Sequence, residues 1–257
     1  MARIRLDLLL VERSLVPSRQ RAQALILAGR VLVEDVPVTN AGAQVKPDAQ
    51  VRIRGEDLPF VSRGGLKLEA ALEAFDVPVA GAVCADLGAS TGGFTDCLLQ
   101  RGAVHVYAID VGYGQLDWKL RKDERVEVME RTNARHLETL PRAPSLVVGD
   151  LSFISLEKIL PAIARIAAPD AHCVLLVKPQ FEVGKEHVGK GGRVRDDSAR
   201  LAAVQRVLAG ARADGFAVLG ELESPVPGAK AGNIEHLVWL RVPGSSRDIL
   251  SCREETR

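Results

Sequence analysis

Residues 83–94 run Val-Cys-Ala-Asp86-Leu-Gly88-Ala-Ser90-Thr91-Gly92-Gly93-Phe94. A short apolar run ends in an acid, a glycine-rich turn follows, and a helical stretch begins. An open α/β sheet presents a nucleotide-like ligand in this way, with a strand end, a close backbone approach and a helix N-terminus. The spacing is Asp-x-Gly-x-Ser-x-Gly-Gly. It is neither the dinucleotide Gly-x-Gly-x-x-Gly nor the P-loop Gly-x4-Gly-Lys-Ser/Thr. No lysine follows the glycines, so a polyphosphate would meet no cation there. A ligand without phosphates, such as S-adenosylmethionine, suits the turn better.

From residue 83 onward the apolar patterning alternates between strand and helix. We expect strands at 83–87, 104–110, 126–130, 145–150, 173–177, 216–221 and 234–242. Helices are expected at 66–75, 94–101, 156–167 and 198–210. Such alternation predicts an α/β fold, a Rossmann-like, doubly wound and mostly parallel sheet with helices on both faces. The run 173–177 is apolar throughout and is predicted to be a central strand. Ligands in these sheets bind beyond the carboxyl ends of the strands. Asp86, Asp110, Asp150 and Lys178 all fall at predicted strand ends.

The first 33 residues have a different character. They carry six arginines against Asp7 and Glu12, a local charge of +4 in a chain whose net charge is only +1. Residues 7–12 have a helical apolar face. Pro17-Ser18 should cap a second helix over 19–28, with Ala22, Leu25 and Ile26 inward and Gly29 ending it. Residues 31–33 and 36–38 flank Glu34-Asp35 as a hairpin, and 51–54 alternates like a strand. Arginines on two short helices fit a phosphate-contacting face and equally fit a solvated surface. Turn residues and polar content at 55–63 mark a join. The expected layout is a small α+β domain at 1–58, a linker at 59–64, a larger domain at 65–243 and a polar tail at 244–257.

Other classes find less support. The longest apolar stretches fall well short of the roughly 18 residues of a membrane span. The opening Met-Ala-Arg-Ile-Arg does not read as a secretory signal, so a cytoplasmic protein is expected. The four cysteines form no Cys-x-x-Cys pair, which argues for free thiols and against a metal site. A monomer is expected, because a second domain on the same chain leaves no need for a second copy.

The candidate chemistry gathers at the predicted strand ends. Asp110 follows the glycine turn by about 20 residues, where an acid accepts from ribose hydroxyls. Asn133 could read an adenine edge or shape a turn. Asp150, Lys178, Glu235 near the last strand and Lys67 near the start of the helix at 66–75 would be costly to bury unpaired. They suit methyl transfer to a hydroxyl, and they suit two plain ion pairs. Residues 182–195 carry four glycines and four lysines or arginines. That loop fits ordering over an RNA backbone through Lys190, Arg193 and Arg195, and equally fits a mobile basic surface loop.

Two resemblances sharpen this reading. Arg5-Leu-Asp7-x-x-Leu followed by Ser18-Arg19-x-x-Ala22-x-x-Leu25-Ile26-x-x-Gly29-x-Val31 resembles the S4-type RNA-binding module, which implies RNA contacts at Arg5, Ser18, Arg19 and Arg21. Val61-Ser-Arg-Gly-Gly-x-Lys67-Leu, the stretch Asp86 to Asp96, Asp110-Val-Gly-Tyr-Gly-Gln-Leu and Glu130-Arg-Thr-Asn-Ala-Arg135 match a second pattern. So do Asp150-Leu-Ser-Phe-Ile-Ser155, Val177-Lys178-Pro-Gln-Phe-Glu182 and Gly232-Asn-Ile-Glu235. The chain resembles the haemolysin-A-type (TlyA) rRNA methyltransferases, whose catalytic half is similar to the FtsJ class of ribose 2′-O-methyltransferases. That resemblance implies a catalytic tetrad at Lys67, Asp150, Lys178 and Glu235. It implies S-adenosylmethionine held by Asp86, Gly88, Ser90, Thr91, Gly92, Gly93, Phe94, Asp110, Val111, Asn133, Asp150 and Leu151. It further implies methylation of cytidine 2′-hydroxyls in the rRNA of ribosomal subunits. A non-catalytic RNA-binding assembly factor and a membrane-active haemolysin are the alternatives from other classes.

Overall fold

The computed structural model describes residues 3–16, 18–54, 58–228 and 231–244, except the side chain of Lys185. Pro17 and residues 245–257 of the expected tail lie outside them. The chain divides into two compact units, Met1–Leu58 and Pro59–Arg257.

The first unit holds β1 (Ile4–Arg5), α1 (Leu6–Glu12), α2 (Arg19–Leu27), β2 (Val31–Val33), β3 (Val36–Val38), β4 (Gln44–Val45) and β5 (Val51–Ile53). Leu6, Leu9 and Leu10 of α1 meet Ala22, Leu25 and Ile26 of α2 in its core. Ser18 caps α2 by accepting from the Arg21 amide, the usual role of a serine at that position. Glu34 and Asp35 both adopt positive φ in the β2–β3 turn, as a tight hairpin requires.

The second unit is a sheet covered on both faces. It is built from α3 (Gly64–Phe75), β6 (Val83–Leu87), α4 (Gly93–Gln100), β7 (His105–Ile109), α5 (Trp118–Arg121), β8 (Val126–Met129), β9 (Leu146–Gly149), α6 (Leu160–Ile166), β10 (His172–Val177), α7 (Pro179–Glu182), α8 (Asp197–Ala213), β11 (Ala217–Glu223) and β12 (His236–Arg241). The strand order is β11-β12-β10-β9-β6-β7-β8. Strands β6 to β10 pair in parallel, whereas β12 runs antiparallel between β10 and β11. One apolar cluster, including Ile159, Ile163, Val204 and Leu208, packs α6 and α8 on one face. A second, including Leu68, Leu72, Cys97 and Leu98, packs α3 and α4 on the other.

The chain leaves β6 toward β7 and β8, then returns to lay β9 on the opposite side of β6. That reversal makes the β6–β9 boundary the switch point where a crevice opens beyond the carboxyl ends. The middle strand is β9; the apolar run expected there is β10, one place outward and flanked on both sides. Its composition reflects burial between two neighbours, which an off-centre strand satisfies equally well. Residues 156–167 form a 3₁₀ turn at Leu156–Lys158 followed by α6, and Lys178-Pro179 opens α7. Residues 59–64, read from the sequence as a linker, make specific contacts in the second unit. The Val61 amide donates to Asp96, and the Pro59 carbonyl accepts from Gln100. Phe60 is buried so close to Gly65 that a Cβ there would lie 2.3 Å from its ring.

Candidate active site

The glycine turn joins β6 to α4 and lines a cleft of about 280 Å³. Gly88 has φ +85° and Gly92 φ +96°, a left-handed backbone that favours glycine. Space matters as well. A Cβ on Gly88 would sit 2.9 Å from the Asp150 carbonyl, and one on Gly92 would strike Leu120 at 2.2 Å. Gly93 is pressed against Ser62 and Gly65. Ser90 and Thr91 are exposed on the turn, and the buried Phe94 reaches the cleft from the start of α4. Arg63, Lys67 and Lys178 line the same cleft, but none of them follows the glycines in the chain.

Asp110 organises the cradle from the end of β7. Its Oδ2 accepts from the Ser90 amide at 2.8 Å and its Oδ1 from the Gly112 amide at 2.6 Å. Each oxygen retains acceptor capacity. Val111 beside it is exposed, and Leu151 packs partly buried after β9. Asn133 caps a 3₁₀ turn by accepting from the Arg135 amide. Its carboxamide oxygen is thus engaged in the turn role.

Asp86 lies behind the cradle. It is fully buried in β6 and accepts from Thr95 Oγ1 at 2.6 Å, while its Oδ1 has no hydrogen-bond partner among the described residues. Burial pushes its carboxyl up to about 7; the Thr95 hydrogen bond opposes this, and the charges of Asp150 and Asp110 add to it. The folded state therefore keeps a proton that the unfolded chain releases near pH 4, roughly, and stability falls as pH rises through that window to about 7. Asp86→Asn cannot titrate. Its melting temperature should exceed the wild type's by roughly 5 °C at about pH 8, with the gap closing toward pH 5. Thermal unfolding across that range checks this, and a gap independent of pH would refute it.

Two ion pairs meet the cleft. Lys178 Nζ lies 2.5 Å from Asp150 Oδ1 and donates to Ser152 Oγ at 2.8 Å. Lys67 Nζ, one turn into α3, lies 2.5 Å from Glu235 Oε2 just before β12. Lys67 is thus buried and paired. The pairs differ in exposure: the Asp150 side chain is 24% exposed and that of Glu235 3%. Lys67, Asp150 and Lys178 line the same cleft as the glycine turn, and Glu235 stands behind Lys67.

Several neighbours had no role assigned from sequence although they lie inside the quoted motifs. Ser152 holds Lys178. Glu182 accepts from the Leu156 amide at 2.8 Å, tying α7 to the chain that follows Asp150, and burial raises its carboxyl. Phe153 is 85% exposed with φ +65° and packs against Phe181 at 5.1 Å between ring centroids. A bulky residue in the left-handed region is held there by its surroundings. Asn233 is buried among three side-chain hydrogen bonds.

The same motifs are found in known proteins. Residues 60–242 match the model of the FtsJ-like methyltransferases. The chain belongs to that family. Residues 4–51 match the S4 domain. Within this FtsJ-like family setting, the chain is 50% identical over 242 residues to the 16S/23S rRNA (cytidine-2'-O)-methyltransferase TlyA of Mycobacterium tuberculosis, covering 93% of this chain and 90% of that one. It is 42% identical to Hemolysin A of Brachyspira hyodysenteriae over 91% of this chain and 98% of the other. A solved structure described as "Putative hemolysin from Streptococcus thermophilus" is 40% identical, with a TM-score of 0.73, covering 100% of this chain and 98% of that one. No helix among the described residues is long and apolar enough to cross a membrane.

The residues expected to face RNA are spread over both units. In the first, Arg5 donates twice to Asp7 (3.0 and 2.9 Å), and Arg19 donates once at 2.9 Å. Both guanidiniums remain substantially exposed. Ser18 spends its hydroxyl on the helix cap, and Arg21 is half-buried. In the second, Lys190, Arg193 and Arg195 are exposed on the loop between α7 and α8.

Proposed function

We propose that this protein transfers the methyl group of S-adenosylmethionine to a cytidine ribose 2′-hydroxyl in ribosomal RNA, acting in the cytoplasm. One observation carries the reading: Lys67, Asp150 and Lys178, from two lysine–carboxylate pairs, share one cleft with the glycine cradle at the switch point of the sheet. The cradle fits a compact nucleoside ligand, because three glycines leave no room for side chains. Asp110 would hold the ribose hydroxyls from the end of β7. When bound, the cofactor supplies a methyl on a sulfonium that needs no further activation.

The chain's own task is then positioning and proton handling. A ribose hydroxyl is a weak nucleophile until its proton departs. Lys178, fixed by Asp150 and Ser152, can donate to the 2′-oxygen and stabilise the charge that grows on it. The hydroxyl proton passes to the Lys178–Asp150 pair. Lys67, locked by Glu235, places a second cation beside the same oxygen. Arg5 and Arg19 on the first unit and the basic loop on the second would grip phosphates outside the cleft. Whether the enzyme works as a single copy follows from the same reading, with the RNA grip and the cleft supplied by one chain.

The test uses tritiated S-adenosylmethionine and ribosomal subunits from a strain lacking this gene, with the labelled position mapped by blocked reverse transcription. Label on a cytidine 2′-oxygen is the expected result. Label on a base, or none despite intact cofactor binding, would overturn the proposal.

A further inference from the structure

The Asn233 carboxamide lies between the catalytic residues and the basic loop. It is 3% exposed. Its Nδ2 donates to Gln180 Oε1 and to the Gly192 carbonyl, both at 2.9 Å, and its Oδ1 accepts from the Val194 amide at 3.0 Å. Its own carbonyl accepts from the Gly228 amide at 2.9 Å. Gln180 is two residues after Lys178, and Glu235 is two residues after Asn233. Gly192 and Val194 flank Arg193 in the basic loop.

The loop is otherwise closed on itself. Gly189 donates to the Arg193 carbonyl, and Gly192 donates to the Gly189 carbonyl. Among the described residues, the hydrogen bonds joining 189–195 to the rest of the unit end on this one amide. Replacing it would leave the partly buried Val194 N–H and the Gln180 and Gly192 acceptors without this partner, which favours local opening of the loop.

We propose that Asn233 is a positioning residue that makes the basic loop and the catalytic pairs a single unit. Phosphates held by Lys190, Arg193 and Arg195 set the loop; through Asn233 the loop sets the start of α7, directly after Lys178, and the approach to β12, which carries Glu235. This rests on the methyltransferase reading. It adds that RNA engagement at the rim and alignment of the cleft are one event.

The experiment uses the full chain as wild type, Asn233→Ala, Asn233→Asp, the triple variant Lys190→Ala/Arg193→Ala/Arg195→Ala, and Asn233→Ala combined with the triple. Asn233→Asp keeps the acceptor for Val194 and removes both donors, so it reports even if the alanine variant folds poorly. Amide exchange over 189–195 should quicken about tenfold or more in both Asn233 variants, as expected for a local opening. Affinity for ribosomal subunits should fall, with the log–log salt slope shallower by up to roughly 2–3. Single-turnover transfer should slow even at saturating RNA, and cofactor affinity should hold. The combined variant should be no worse in subunit affinity than the triple. Unchanged exchange in the loop, or losses that multiply in the combined variant, would overturn the inference. A wild type that binds subunits but transfers no methyl group would instead sink the enzymatic reading, and the exchange and affinity arms would still decide whether Asn233 links the loop to RNA.

Discussion

Lys178→Ala is expected to lower single-turnover methyl transfer by about 10³-fold, equivalent to roughly 4 kcal/mol of barrier, while cofactor affinity stays within a few-fold of wild type. The two effects separate because the cradle is built from backbone. Its shape depends on Gly88, Gly92 and the Ser90–Asp110 hydrogen bond, none of which touches Lys178. Transfer depends on a cation held at one point by Asp150 and Ser152. Lys178→Arg should not restore it, because a planar fork cannot place its charge where a compact ammonium sits. The fold should tolerate the loss. Asp150 is 24% exposed and can be solvated once its partner is gone. The other pair contrasts: Lys67→Ala would strand Glu235, only 3% exposed, and costs about 3 kcal/mol of stability. Rapid-quench transfer assays beside cofactor titrations check this. Simultaneous loss of transfer and cofactor binding in Lys178→Ala would mean that Lys178 supports the cradle and would remove its assigned role.

Local chemistry was the most legible part of the chain. The glycine turn lies within a dozen residues, and each strand-end acid directly follows its own short apolar run, so their physics is local. The Lys67–Glu235 pair is another matter. Its partners are 168 residues apart, and they meet only because β12 folds back antiparallel beside β10. Spacing left an ion pair and a catalytic role equally open; the family resemblance supplied the grouping. Strand order likewise escaped composition, since β10 and β9 are both apolar and only the pairing places β9 in the middle. Ser152, Glu182 and Asn233 were visible as letters in motifs, yet their roles depend on which neighbour each polar atom meets across the crevice. The short helices α5 and α7, four residues each, fall below what periodicity can resolve.

The arginine cluster of the first unit shows how charge alone misleads by omission, and it yields the second large prediction. Charge left a phosphate-contacting face and a solvated surface equally open, and the resemblance implied RNA contacts at Arg5 and Arg19. The fold places a buried carboxylate between them. Asp7 has no exposed surface and accepts from Arg5, Arg19 and Gln23, with Arg5 bonded through both Nε and a terminal nitrogen. The Arg5 hydrogen bonds hold its carboxyl well below the usual carboxylate range, with Gln23 and Arg19 adding to them against the cost of burial. Asp7→Ala should cost the first unit about 2 kcal/mol: the hydrogen bonds from Arg5, Arg19 and Gln23 are lost, but both guanidiniums are exposed enough to be solvated. A unit of 58 residues has little stability to lose, so its transition should shift far down in temperature while cofactor binding by the second unit is unchanged. The pH dependence has a definite sign. A depressed folded pKa contributes stability above roughly pH 4 and loses it as pH falls further, so the variant's deficit should shrink in acid. Amide exchange resolved over α1 and α2, followed from neutral pH to about pH 3, checks both points. RNA affinity should fall in the same variant although no cation has been removed, because Arg5 and Arg19 then reach for phosphates from unfixed positions. A variant that melts like the wild type and still binds RNA normally would show that the two arginines need no buried anchor.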